Sequence, residues 1–427
     1  MPDRKHAPPR GPITRPPYIK PQAILLDNGL PVYFLQGGTD EFVKVELSFN
    51  SGSFHQEKAL EAFAATHLLR TGSQSKSRQE INELLDYLSV HLQPDPQKDL
   101  LSVSIYVLNK HLDAALPLLS EILRQPLYPR EEMDSFLKNQ EQLHLINQKK
   151  VQHLARTYFT ELIYGEQHPY GYRLKPEDFR KLTREDLLSF HRKWIHPNNA
   201  FMLVSGRLPV GIEAAVDKNF GPSVWKEGSL ADPPSYPMLS SGRRKVYLEM
   251  PEALQSAIRI GKQLFNRTHP AYHRLKITNA LLGGYFGSRL MQNIRQEKGY
   301  TYGISSNVIS LLRNGYFFIA TQVGSEVAKA ARDEIYNELG RLAKVPATTE
   351  ELDGLRNYLA GSFLRSFDGP IAQGDRFKEL LVFGLDHSHY DEYLNTLKHI
   401  SPGEIMECAR LYLDEGEMME VVAGRGE

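Results

Sequence analysis

The chain has 427 residues, more than one compact core usually holds, so two or more domains are expected. Hydrophobic residues at 41% and charged residues at 24% are the balance of a folded globular protein and exclude a disordered, collagen-like or fibrous chain. Lys plus Arg and Asp plus Glu number 51 each, so no overall basic field exists to hold nucleic acid or an anionic membrane surface.

Residues 1–22 read as an extended arm stiffened by proline, able to wrap over a neighbouring surface. The stretch has no apolar run of signal-peptide length and too much proline for the helix of a transit peptide. No later segment carries eighteen consecutive apolar residues, so no membrane span is predicted and the cytoplasm is the expected location. Residues 31–36 (PVYFLQ) and 43–50 alternate as half-buried strands. Helices are predicted over 58–72 and 77–89, then a strand in LLSVSIYVL, then helices near 110–125, 131–148 and 151–164. The Tyr-rich HPYGY at 168–172 reads as a packed loop. Gly, Pro and Ser cluster at 228–242 and mark a linker between domains 23–227 and 243–427.

Beyond the linker the same order returns. KVYLEM and SAIRIGKQL read as strands, LLGGYFGSRLMQNIRQEK as a helix pair joined by a glycine turn, 301–323 as two strands, and long helices follow to about 412. The repetition has residue-level support. LTREDLLSFHRKWIHPNNAFMLVSGR from Leu182 parallels ISPGEIMECARLYLDEGEMMEVVAGR from Ile400, and Thr183 to Gly206 and Ser401 to Gly424 both span 23 positions. Thr183 and Ser401 each read as the N-cap of an amphipathic helix followed by an apolar strand. PREEMDSFLKNQ and TTEELDGLRNYL align at an offset of 219, against 218 for the first pair. Two segments sharing nearly one offset indicate a duplicated unit of ordinary domain size. Hairpin strands with grouped helices make each copy α+β, an antiparallel-rich sheet with helices on one face. The single cysteine, Cys408, lies in a helical apolar context and reads as a buried thiol; no intrachain disulfide or thiolate metal cluster can form.

LDNGLPVYFL, VELSFNSGSFHQ and HLLRTGS, with NAFMLVSG and SRLMQNIRQEKGYTYGISS further on, resemble the insulinase-like, pitrilysin-type metallopeptidase family over nearly the whole chain after residue 22. The resemblance implies two homologous α+β domains, paired with a second such unit around a peptide-digesting chamber. Active members carry H-x-x-E-H on a helix, where two imidazoles one turn apart clamp zinc and the intervening glutamate serves as base. Here the corresponding residues are Phe63, Thr66 and His67, so one ligand and the base are missing. The family's third ligand, a glutamate on a later helix, corresponds by placement to Gln142. One imidazole does not make a catalytic zinc site, which takes three protein ligands. His55, His91, His144, His191, His196, His387 and His389 are scattered and read as satisfied or solvent-facing.

Arg295 and Tyr302 match the family's Arg/Tyr pair, which by resemblance projects into the chamber opposite zinc and steadies the substrate. As residue types alone they better suit a helix-surface charge and an edge-strand aromatic, and it is the matching context that brings the functional reading level. The reading is a non-catalytic, substrate-positioning subunit of a heterodimeric zinc metallopeptidase acting on unfolded peptides. It binds no metal itself, its partner carries the zinc, and it forms a homodimer if isolated. A dead scaffold, a peptide-binding maturation protein and a self-sufficient zinc peptidase with an unconventional site are the alternatives.

Overall fold

The computed structural model describes residues 14–229, 231–237 and 242–425. Residues 1–13 of the expected arm, and 230 and 238–241 of the expected linker, lie outside the described residues. The chain forms two compact units: Tyr18–Gly242 with Asp368–Lys378, and Arg243–Phe367 with Glu379–Glu427, with which residues 14–17 also group.

In the first unit, strands β1 (Gln22–Leu25), β2 (Pro31–Gln36) and β3 (Phe42–Phe49) precede helices α1 (Glu61–His67) and α2 (Arg78–Tyr87). Strands β4 (His91–Pro96) and β5 (Leu101–Leu108) follow, then α3 (Leu112–Arg124), α4 (Arg130–Asn147), α5 (Val151–Tyr164), α6 (Asp178–Lys181) and α7 (Arg184–Trp194). Strand β6 (Ala200–Gly206) and α8 (Ile212–Phe220) complete it. The sheet order is β1-β2-β6-β3-β5-β4, antiparallel except where β2 lies parallel to β6.

The second unit contains β7 (Lys245–Glu249), β8 (Gln255–Leu264), α9 (Tyr272–Asn279), two π-helical turns (Ala280–Gly284 and Met291–Glu297), β9 (Thr301–Ser310) and β10 (Gly315–Gly324). Helices α10 (Ala328–Lys344), α11 (Thr349–Arg365), α12 (Gly369–Phe383), α13 (Ser388–His399) and α14 (Pro402–Tyr412) lead to β11 (Met419–Gly424); α12 belongs to this unit only from Glu379 onward. The order β7-β11-β8-β10-β9 reproduces β2-β6-β3-β5-β4 with its single parallel pair in the same place. Each unit is an α+β copy of the other.

The duplicated helices start for the same local reason. Thr183 and Ser401 cap α7 and α14 in reciprocal capping boxes with Asp186 and Glu404, each satisfying two end groups that the helix leaves unpaired. The core lies on one face of each sheet. Val43, Val45, Leu47 and Phe49 alternate inward from β3 onto Ala64, Leu116, Leu187 and Trp194; Ile258, Ile260, Phe317 and Ile319 do so against Ile335, Leu339 and Ile405. Burying one such side chain is worth about 1.5–3 kcal/mol, so these faces set the strand register.

One assignment is corrected. Asp368–Lys378, expected within domain 243–427, groups with the first unit and covers the other face of its sheet. That face of β3 carries Lys44 and Glu46, both buried. Glu46 accepts from Lys44 at 2.6 Å and Lys378 at 2.5 Å, while Asp375 accepts from Lys44 at 2.7 Å. Burial works against the Glu46 carboxylate, yet the two lysines outweigh it and hold it below its ordinary range. Gly374 fits because a Cβ there would lie 2.4 Å from the Ser205 hydroxyl.

Candidate functional site

Helix α1 carries the residues aligned with the zinc motif. It opens after Leu60, whose φ of 75° is left-handed, and ends in a 3-10 turn, Leu68–Thr71. Thr66 is 2% exposed and its hydroxyl donates to the Ala62 carbonyl at 2.6 Å. The Phe63 and His67 rings pack together, their planes tilted by 41° and their centroids 4.2 Å apart. Phe136 of α4 closes the stack, 5.7 Å from Phe63 and 6.0 Å from His67. The His67 Nδ1–H donates to the Phe63 carbonyl at 2.9 Å, which leaves Nε2 with the lone pair in the neutral ring. Burial is the main cause that lowers the His67 pKa, so the ring is neutral near pH 7.

A hollow of about 310 Å³ opens beside this stack, with Arg70, Arg78, Glu132, Phe136 and Asn139 in its lining. Positions 132, 135, 136 and 139 form one stripe of α4. Gln142 lies one turn further along that stripe, exposed and outside the lining. The α4 side chain that meets the pair on α1 is therefore Phe136. The donor set does not fit zinc: one imidazole faces two phenyl rings, the Thr66 hydroxyl is engaged, and Glu132 is ion-paired to Arg78. Among the described residues no group of three His, Cys, Asp or Glu side chains is gathered as a metal site.

The other sequence candidates are dispersed. The HPYGY loop is packed: Tyr170 is buried against Phe54 and His168 at 5.3 and 5.0 Å, and its hydroxyl donates to Asp99. His191 is buried against the Leu123 carbonyl at 2.7 Å. His389 pairs with His273, ring centroids 4.3 Å apart, a contact between α13 and α9 whose partners lie 116 positions apart in the sequence. A cleft of about 750 Å³ lies by Tyr172 and Tyr236, where Lys175 pairs with Glu166 and Lys58 with Asp186.

In the second unit, Arg295 sits in the π-helical turn Met291–Glu297, its guanidinium 5.1 Å over the exposed Phe286 ring. Tyr302 stands 93% exposed on β9, the sheet edge. Gly299, at φ +67°, turns the chain between them. No side-chain bond joins Arg295 to Tyr302. Arg289, by contrast, is locked: it donates to Glu351 at 2.8 and 3.1 Å and to two backbone carbonyls. The glycines of LLGGYFGSR serve packing here, since a Cβ on Gly283 would lie 2.7 Å from the Ser306 hydroxyl.

Family models match most of the chain: residues 33–174 match insulinase (peptidase family M16), and residues 181–359 match the peptidase M16 inactive domain. The chain belongs to the insulinase family. Among insulinase relatives, the uncharacterized zinc protease YmxG of Bacillus subtilis (strain 168) is 22% identical, covering 93% of this chain and 97% of the relative. The non-peptidase homolog YmxG of Helicobacter pylori (strain ATCC 700392 / 26695) is 20% identical, covering 88% and 87%. Mitochondrial-processing peptidase subunit alpha-1 of Dictyostelium discoideum is 25% identical over 35% of this chain and 23% of its own length. The crystal structure of a peptidase M16 inactive domain from Pseudomonas fluorescens superposes with a TM-score of 0.86 at 21% identity, covering 95% of this chain and 98% of that one. This insulinase-family chain is thus similar both to proteins named as zinc proteases and to one named a non-peptidase, and its α1 lacks the donors that would hold zinc. Among the described residues, no helix is long and apolar enough to cross a membrane.

Proposed function

We propose that this chain is the non-catalytic, substrate-positioning subunit of a two-chain zinc metallopeptidase. A second insulinase-type chain with intact H-x-x-E-H carries zinc and base, and the complex acts on unfolded peptides in the cytoplasm. A chain whose only cysteine is buried has no need of an oxidising compartment. The observation that carries the reading is the Phe63–His67–Phe136 stack, which occupies the metal-ligand face of α1 with rings. A site filled that way does not activate water, so any contribution to hydrolysis comes from elsewhere on the chain.

Arg295 and Tyr302 are the residues suited to contribute. A guanidinium and a phenol are both donors, able to hold a peptide carbonyl and the oxyanion that develops from it, and both are accessible. One such donor is typically worth about 2.7–4 kcal/mol of barrier. The test mixes the purified chain with a zinc-bearing insulinase-type partner and follows hydrolysis of a quenched fluorescent peptide. Neither chain alone is expected to match the mixture, and Arg295→Ala or Tyr302→Phe is expected to lower its turnover by about 100- to 1000-fold. A partner equally active without this chain ends the proposal. The relative named a non-peptidase favours a second reading, a dead scaffold or peptide-binding maturation protein of the same fold. Full activity in the mixture containing Arg295→Ala supports that one.

A further inference from the structure

We propose that the hollow beside His67 binds the C-terminal residue of a peptide, its carboxylate on Arg70 and its amide N–H on His67 Nε2. The site deepens the subunit reading by naming a peptide end as ligand, and it is testable on the isolated chain.

The lining of the hollow is cationic. Arg70 and Arg78 both enter it, and its one acid, Glu132, is ion-paired to Arg78. Among the described residues Arg70 has no ion-pair partner, so one positive charge is left in excess at a concave wall. Asp95 on β4 acts electrostatically on His67 from outside the lining and accepts from Gln97 at 2.9 Å. Charge-assisted hydrogen bonds from a guanidinium suit a carboxylate, and Asn139 supplies a further amide donor in the same lining.

The second feature selects the C-terminal residue over a bare anion. The Phe63 carbonyl holds the proton of the ring on Nδ1, so Nε2 is left as an acceptor on a residue that lines the hollow. A simple anion has nothing to give it. A peptide terminus presents a carboxylate, an N–H one residue unit away and a side chain, which match Arg70, His67 and the Phe136 and Pro94 walls in turn. At about 310 Å³ the hollow is at the small end of ligand pockets and admits an end, not a loop.

The test measures binding of labelled decapeptides to the full chain by fluorescence anisotropy, with EDTA present throughout. One peptide has a free C-terminus, one is the amide, and one is the amide with an internal glutamate. The free acid is expected to bind at least about tenfold more tightly than either amide. Arg70→Gln is expected to erase that difference with an unchanged melting temperature, since Arg70 is exposed. Arg130→Ala, which removes an exposed arginine outside the lining, is expected to keep it, and binding by the isolated chain in EDTA separates this site from the subunit role. Equal binding of acid and amide overturns the proposal, as does no binding at all or discrimination that survives Arg70→Gln. Equally tight binding of the glutamate-containing amide overturns it too, because the ligand is then a side-chain carboxylate.

Discussion

Restoring the missing motif tests whether α1 lost only its donors or the whole metal site. Phe63→His with Thr66→Glu recreates H-x-x-E-H on the helix. Thr66 is sealed, its hydroxyl bonded to the Ala62 carbonyl, so a glutamate there buries an unpaired carboxylate at a cost of at least about 2 kcal/mol. Replacing Phe63 gives up ring contacts worth about 1 kcal/mol. A loss of about 3 kcal/mol lowers the melting temperature of a unit this size by roughly 6–12 °C. Two imidazoles without a third ligand are expected to hold no stoichiometric zinc, because the α4 residue in front of them is a phenylalanine. Adding Phe136→Glu to the double variant is expected to raise zinc affinity more than adding Gln142→Glu. Metal analysis after dialysis, differential scanning fluorimetry and peptide hydrolysis read the three quantities. One zinc per chain and hydrolysis in the double variant alone would refute the reasoning.

Two further outcomes concern stability. Glu46→Ala removes the carboxylate that Lys378 bonds and leaves buried Lys44 with Asp375 alone, and it is expected to cost about 2–3 kcal/mol, with faster tryptic cleavage near Lys378; Arg130→Ala, which removes an exposed 4.0 Å pair, is expected to stay within about 0.5 kcal/mol. A urea titration of the three proteins checks both values. His191, His273 and His389 are each pushed down to about 4, chiefly by burial; Arg267 lowers the last two further, and Glu379 opposes this at His389. Unfolded histidines protonate near pH 6.5, so between about 6.5 and 4 the unfolded chain binds protons that the folded one refuses. Stability is therefore expected to fall as pH drops through that window, and carboxylates held low in the folded chain, Glu46 among them, extend the fall below it. A melting temperature constant from pH 7 to 4.5 contradicts this.

Much of the fold is legible in the sequence because it is written in short-range signals. The capping pairs Thr183/Asp186 and Ser401/Glu404, each followed by an apolar strand, fix the repeat before any contact is known. Strand β4 was not legible: Pro94 and Pro96 cannot donate to a ladder and read as loop, although an edge strand tolerates them. The return of residues 368–378 to the first sheet was equally hidden. Lys44 and Glu46 alternate with apolar neighbours as if facing water, and nothing near them in sequence announces that Asp375 and Lys378 will cover that face.

The candidate site divides along the same line. Counting donors needs only residue types, so the absence of a zinc ligand at Phe63 and of a base at Thr66 is visible in one dimension. Deciding what replaced them depends on which α4 side chain meets α1, and that is a matter of helix phase and approach. Counting along the chain points to Gln142, whereas packing presents Phe136, less than two turns earlier on the same stripe. The Phe63 and Phe136 rings pack on His67, and the hollow beside them is lined by Arg70 and His67. Without H-x-x-E-H, α1 borders a concave, cationic wall that includes His67, and in the proposed binding mode such a wall takes the end of a chain over its middle. Discrimination between a free and an amidated peptide terminus is the outcome expected of that wall, with EDTA present as without it.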